Sequence, residues 1–303
     1  MAKGVFVHRA DSKYDDFPEE QYQFPQRYLK RARQFENDWI VYYEPRGGGG
    51  RMGYTAIAKV QAIQPDLFID DMFVAIIEPG TYLPLEEFVP YRSEAGFMES
   101  ELQKPDGSLN GGLIQWAIRP ISDHDFNAII LKGLPEETDQ LPRTDDIATK
   151  GGLIGFSEEE SDFAFDNERM RVDQTISSIP RDRVFRKIVL EAYDNRCALT
   201  GLRLINGGGR AEVEAAHIKA VKDNGPDTIR NGIALSGTIH WMFDRGLISL
   251  SDDLDILVSR QVNDPNQVHG LLNSSGKAIP PDNPAYRPHP KYLNWHREHC
   301  FKV

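Results

Sequence analysis

Short apolar runs separated by Gly, Pro and Asp dominate the first part of the chain. GVFVHR, DWIVYYE, MGYTAIAKVQAI and FVAIIEPG are β-branched or aromatic and read as strands. QYQFPQRYLKRARQF departs from that pattern, with helical spacing after Pro25, and DHDFNAIILKGL reads as a short amphipathic helix. Residues 1–134 therefore predict a small barrel with one or two helices. Further on, PRDRVFRKIVLEAYDNR places Phe185, Ile188, Val189 and Ala192 on one side of a helix. VEAAHI then suits a strand ending on His217, KDNGPDT turns the chain, and GIALS is a second apolar run. Ser236, Gly237 or Thr238 can cap a helix on which His240 and Asp244, four apart, share a face. After Leu250, DDLDILVSRQV predicts a hairpin-like pair, and RPHPKYLNWHREHCF a short terminal helix whose Tyr292, Trp295 and Phe301 pack on the core. The whole is an α+β chain in two halves.

Composition bounds what such a chain can be. With 303 residues, 40% hydrophobic and 27% charged, it can bury two cores. No apolar run approaches the ~18 residues of a membrane span, and MAKGVFVHRADS lacks the apolar core of a secretory signal, so a cytoplasmic protein is expected. Cys197 and Cys300 are too few for a disulfide framework or a four-cysteine zinc site. The net charge of −11 argues against a nucleic-acid partner until its distribution is considered. Between Glu136 and Glu168 stand eleven acids and two bases, whereas residues 181–303 hold seventeen bases and fourteen acids. The acidity belongs to a connector, 135–178, and says little about the faces of either half.

The strand, turn, strand and helix of the second half hold His217, Asn231 and His240 around one small volume. Such a set fits phosphodiester hydrolysis, which needs a base for water and a cation for charge at phosphorus. A neutral imidazole suits the first task. His240 and Asp244 offer one nitrogen and one oxygen to a divalent ion, Mg²⁺, Mn²⁺ or another first-row metal. Asn231 would hold the strand and loop by hydrogen bonds from its amide. Either histidine alone would be an ordinary packing or surface residue; the constellation is what carries the reading. His289, His296 and His299 fall outside it.

AYDNRCALTGL (Ala192 to Leu202), EAAHI, RNGIAL, IHWMFDRGLISL and YLNWHREHCF together resemble the HNH domain of bacterial restriction-type endonucleases. The resemblance covers nearly all of residues 181–303. It implies a ββα-metal fold over residues 179–303, with His217 as general base, Asn231 as structural support, His240 as metal ligand and Asp244 as a second helix ligand. One departure is that many relatives place an Asp or His immediately before the base, where this chain has Ala216. The ion would then keep more water, or Glu214 would contribute through water.

Aromatic density marks the first half. Tyr22, Phe24, Tyr28, Trp39, Tyr42, Tyr43 and Tyr54 lie within 33 residues, beside Arg46, GGGG and Arg51. Rings beside bases can stack on a nucleobase, and a glycine-rich loop lets amides approach phosphate, although any one ring can equally be core. Because neighbours in a strand alternate, Tyr42 and Tyr43 should not both face the core, leaving at least one for a groove. GVFVHRADSKYDD, YQFPQRYL and DWIVYYEPRGGGGRMGYTAIAKV resemble the EVE-type branch of the PUA superfamily, over roughly residues 4–134. That resemblance implies a PUA/EVE-like reader of a base flipped out of a duplex, with Tyr22, Phe24, Trp39, Tyr42, Tyr43, Arg46, Arg51 and Tyr54 as candidate contacts. The fusion resembles type IV-like, modification-dependent restriction endonucleases. It implies a partner in double-stranded DNA carrying 5-methylcytosine or 5-hydroxymethylcytosine. No small-molecule cofactor is expected, and a homodimer is, since one HNH site nicks one strand. A non-catalytic reader of modified nucleic acid and a nuclease on modified RNA are the alternatives.

Overall fold

The computed structural model describes residues 3–303 except 10, 13, 15, 95, 136–167, 207 and 208. Most of the acidic connector expected over 135–178 thus lies outside the described residues.

The strand-rich half contains β1 (Lys3–Val7), β2 (Gln21–Pro25), β3 (Trp39–Glu44), β4 (Gly53–Pro65), β5 (Met72–Ile77), β6 (Leu83–Pro90), the short β7 (Arg92–Ser93) and β8 (Gly96–Phe97), and β9 (Ile118–Ile121). Seven of these strands form one sheet in the order β2-β5-β4-β3-β1-β9, with β6 also on β4. Its organiser is the 13-residue β4, whose length lets it serve three partners: β3 along one edge, β6 beside its first half and β5 beside its second. β1 and β3 are parallel and the other pairings antiparallel. The two ends of the path, β2 and β9, do not pair, so among the described strands the sheet does not close into the expected barrel.

After Pro25 the helical run is mixed: a 3₁₀ turn at Gln26–Tyr28, α1 (Leu29–Ala32) and a second 3₁₀ turn at Arg33–Phe35. A one-turn helix α2 (Gly111–Ile114) follows, and then α3 (Asp123–Gly133), where Ser122 accepts a hydrogen bond from the Asp125 amide as N-cap. α3 buries Phe126, Ile129 and Ile130 on the sheet.

Both faces of the sheet are covered, and this overturns the expectation for the aromatic pair. Tyr42 packs with Phe6, Tyr22, Phe24 and Phe35 on one face, while Tyr43 packs with Val5, Tyr54 and the α3 side chains on the other. The alternation argument holds for direction but assumed a solvent-facing side that does not exist. Tyr42 and Tyr43 are 1% and 2% exposed, and Tyr22, Phe24 and Tyr54 are equally core. Trp39 is half-buried against the same core, whereas Arg46 and Arg51 are exposed. In the glycine-rich loop, a Cβ on Gly50 would lie 2.0 Å from the Pro45 carbonyl oxygen, so the turn itself demands glycine there.

The second half begins with α4 (Glu168–Ala192), which starts upstream of the predicted helix and continues through Pro180. A two-stranded ladder, β10 (Glu214–His217) and β11 (Gly232–Leu235), is followed by α5 (Gly237–Asp244). β12 (Ile248–Leu250) and β13 (Ile256–Val258) pair, so the run DDLDILVSRQV supplies one strand rather than the expected two, and then come α6 (Pro265–Leu271) and α7 (Pro290–His299). α4 lies directly on the ladder: a Cβ on Gly232 would meet Val189 Cγ2 at 2.3 Å. The same helix is tied to the sheet half. Lys187 pairs with Glu86, Arg183 Nη1 donates to the Leu134 carbonyl at 3.0 Å, and one apolar cluster runs without a break from Val5 and Tyr43 through Ile188 to Leu235 and Phe243.

Candidate active site

β10 and β11 are antiparallel with His217 opposite Gly232, so the 14 residues between them form a loop closed at its root. Fully buried Asn231 pins that loop. Its Nδ2 donates to the carbonyls of Lys219 (3.0 Å) and Pro226 (2.9 Å), and its Oδ1 accepts from the Lys219 amide (2.9 Å). Every polar valence used here is a backbone group of the loop, the arrangement that gives a buried amide its lowest energy.

His217 emerges where the strand ends. Phe185 of α4 stacks on its ring, centroids 3.7 Å apart and planes 7° from parallel. Its Nε2 donates to Asp227 Oδ1 at 3.0 Å, and Arg181 Nε donates to Asp227 Oδ2 at 2.9 Å. Burial pushes the Asp227 carboxyl up, but the hydrogen bonds from His217 and Arg181 outweigh it and hold the group below the usual carboxylate range. Nearby Asp182 is shifted the other way, by burial first and by the charge of Asp227 second.

α5 opens at Ser236, which makes no side-chain cap; instead Glu212 Oε1 accepts from the Gly237 amide at 2.9 Å. One turn into this helix, His240 donates from Nδ1 to Glu214 Oε2 at 2.9 Å, and its Nε2 stands 3.4 Å from Asp244 Oδ2. The Glu214 hydrogen bond is the main cause of a raised His240 pKa, followed by opposing burial and then the Asp244 charge. Glu214 and Ala216 lie on the same side of β10, because side chains alternate along a strand. A carboxylate two residues further back, on a longer side chain, thus reaches the helix that an acid at position 216 would have faced.

Among the described residues no group of three or more His, Cys, Asp and Glu is gathered tightly enough to hold an ion unaided. The donor chemistry nevertheless fits one. A nitrogen and an oxygen 3.4 Å apart have the spacing of two ligands sharing a metal with bonds of about 2.0–2.2 Å. A carboxylate on the far ring nitrogen is the usual outer partner of a metal-bound imidazole, fixing its tautomer so that the other nitrogen is free to ligate.

Of the sequence-predicted residues, the structure brings His240 and Asp244 together and sets Asn231 under the loop that follows His217. It places Tyr22, Phe24, Tyr42, Tyr43 and Tyr54 in the core and leaves Trp39 half-buried. Glu212, Asp227, Arg181 and Phe185 are the participants that sequence reasoning missed. Strand alternation from Ala216 could have promoted Glu214 to a direct contact; nothing in the local pattern singled out the others.

Residues 197–251 match the model of the HNH endonuclease family, a stretch that takes in His217, Asn231, His240 and Asp244. The chain therefore carries an HNH endonuclease domain. A comparison with curated protein sequences gives no match. Among solved structures, the chain is similar to the modification dependent TagI restriction endonuclease at 14% identity and a TM-score of 0.30, over 97% of this chain and 80% of that one. It is also similar to protein Atu2648 from Agrobacterium tumefaciens, at 11% identity and a TM-score of 0.27, over 43% of this chain and 90% of that one. A third is the type IV phosphorothioation-dependent restriction endonuclease ScoMcrA, at 13% identity and a TM-score of 0.21, over 78% and 49%. At these scores none of the three assigns a residue or a substrate to this chain. No helix among the described residues is long and apolar enough to cross a membrane.

Proposed function

We propose that this chain is a metal-dependent DNA endonuclease that cuts DNA containing modified cytosine, 5-methylcytosine or 5-hydroxymethylcytosine. Residues 179–303 are the cutting half, 1–134 the half that selects the base, and 135–178 the connector. The observation that carries the reading is α5 presenting an imidazole and a carboxylate 3.4 Å apart, spaced for one ion, in a chain whose β10 ends on a histidine anchored through Nε2 with Nδ1 open. His217 takes the proton from the attacking water at Nδ1. Asn231 holds the loop that carries Asp227. His240 Nε2 and Asp244 would hold the divalent ion, and Glu214 would orient His240 from behind. When bound, the ion, Mg²⁺ or Mn²⁺ or another first-row metal, stabilises negative charge developing at phosphorus and on the leaving oxygen.

Base selection rests on the resemblance of residues 4–134 to EVE-type readers. With Tyr22, Phe24, Tyr42, Tyr43 and Tyr54 in the core, the contacts left from the sequence set are Trp39, Arg46 and Arg51. A double-strand break needs two copies of the site, hence a homodimer, preformed or assembled on DNA. The test is a cleavage assay of the full chain on matched plasmids carrying cytosine, 5-methylcytosine or 5-hydroxymethylcytosine, each with Mg²⁺ and with Mn²⁺. Cutting confined to a modified plasmid is the expected result. Equal cutting of all three removes the selection, binding without nicking leaves a reader only, and preference for modified RNA moves the substrate.

A further inference from the structure

The imidazole of His217 is held by more than its strand. Its plane is fixed by the Phe185 ring lying flat on it, and its rotation by the bond from Nε2 to Asp227 Oδ1. Asp227 is itself clamped twice. Arg181 takes its second oxygen, and the carbonyl of the preceding Pro226 is held by Asn231 Nδ2 at 2.9 Å. The pair is largely shielded, with side-chain exposures of 17% for His217 and 14% for Asp227. A carboxylate only accepts, so Nε2 carries a proton, and in the neutral imidazole Nδ1 is then the nitrogen that presents a lone pair. Among the described residues Nδ1 has no hydrogen-bond partner.

We propose that Asp227 is the positioning residue of the cutting reaction: clamped by Arg181, it fixes the orientation and tautomer of His217 so that Nδ1 is the atom that accepts the proton. The inference deepens the nuclease reading and rests on it. It also gives Asn231 a second duty, since the amide that closes the loop thereby places the carboxylate that steers the base. No part of the 197–251 family segment contains Arg181 or Phe185, so the clamp is supplied by α4 from outside it.

The decisive variant is Asp227→Asn. Arg181 offers only donors, so the new amide must turn its oxygen to Arg181 and its NH₂ to His217 Nε2. The ring then has to carry its proton on Nδ1, where the base should be free. Cleavage is expected to fall about 10²–10⁴-fold in kcat with KM little changed, the size of effect that a wrong tautomer or a lost base produces. Asp227→Ala, which leaves the ring free to choose, is expected to lose less than Asp227→Asn. A merely structural aspartate would give the reverse order, because alanine opens a hole and asparagine does not.

The tautomer itself is read by long-range ¹H–¹⁵N correlation on the full chain with ¹⁵N-labelled histidine, free of metal and DNA, with the His217→Ala spectrum identifying the signal. The parent protein should show His217 protonated on Nε2, and Asp227→Asn should show it protonated on Nδ1. Protonation on Nδ1 in the parent, or an unchanged tautomer and rate in Asp227→Asn, would overturn the proposal. If the parent cuts no DNA with any ion, the nuclease reading fails while the spectra still decide whether Asp227 sets the tautomer.

Discussion

Two carboxylate clusters, one in each half, use the same chemistry to opposite ends. In the sheet half, Glu99 accepts from Arg119 Nε (2.7 Å) and Nη2 (2.6 Å) and from the Tyr54 hydroxyl (2.6 Å), while Arg119 Nη1 donates to the Trp116 carbonyl at 3.2 Å. Side-chain exposure is 0% for Arg119 and 3% for Glu99. Burial works against the Arg119 charge, yet the Glu99 bonds outweigh it and raise the guanidinium pKa. In the HNH domain, Glu214 and His240 are 28% and 24% exposed and Asp244 is 54% exposed. The first cluster has satisfied its polar atoms against one another. The second keeps a nitrogen and a carboxylate turned to solvent. Seclusion with every valence filled makes architecture; partial exposure with a valence left over makes a place where chemistry can happen.

The contrast breaks first at His217. His217→Ala should lower cleavage about 10²–10⁴-fold while changing the free energy of unfolding by no more than about 1 kcal/mol. Unchanged cutting would remove the histidine from the chemistry. Arg119→Met should do the converse. It strands Glu99 in the core and should cost about 3–5 kcal/mol in equilibrium unfolding, with the folded fraction still competent to cut.

A third cluster sharpens the comparison, because it lies in the cutting half and is sealed. His296 is 2% exposed, stacks on Phe243 at 3.8 Å, and bonds to Ser249 Oγ (2.8 Å) and the Phe243 carbonyl (3.1 Å). Burial pushes its pKa down to about 4. A proton therefore prefers the unfolded chain, where the imidazole titrates near its usual value. The stability this neutral histidine contributes is present above about pH 6.5 and is lost as pH falls from there towards about 4, by up to about 3 kcal/mol. Unfolding curves across that window should show the slope, and His296→Gln should flatten it. Equal slopes in both proteins would mean that other groups govern the acid limb.

The smallest expected effect separates the two glutamates. Glu214→Gln should raise the divalent-ion concentration for half-maximal cutting about 10–100-fold, with cutting restored at saturating ion and stability close to that of the parent. Glu99→Gln, by contrast, should show itself in unfolding and leave ion dependence alone. If Glu214→Gln changes only stability, the pair is architectural like its counterpart.

What the sequence made legible follows from how local each feature is. The β10, β11 and α5 elements were readable because VEAAHI, GIALS and IHWMFD carry their own periodicity and cap. Asn231 was readable from its place between the two histidines, in the run RNGIAL that resembles the HNH motif. Asp227 was not, because it reaches His217 only through a loop folded back by Asn231, and Arg181 and Phe185 arrive from a helix 32 or more residues earlier. The misplaced aromatics have a different cause. Alternation assigns faces but does not say which faces meet water, and here β3 is covered on both. Closure of the sheet was equally out of reach, since pairing between β2 and β9 depends on no residue pattern within either strand.

The helix α4 limits how far the cutting half is modular. A transplant of residues 197–251 into another protein would carry both histidines, Asp227 and Asn231. It would leave behind the aromatic wall at Phe185, the guanidinium at Arg181 and the Val189 surface that Gly232 was shaped to meet. The smallest portable unit begins inside a helix that is already bolted to the sheet half through Glu86 and Leu134. A host protein would have to bring its own wall and clamp, and the sheet half could be exchanged for another only if α4 stayed with the HNH domain.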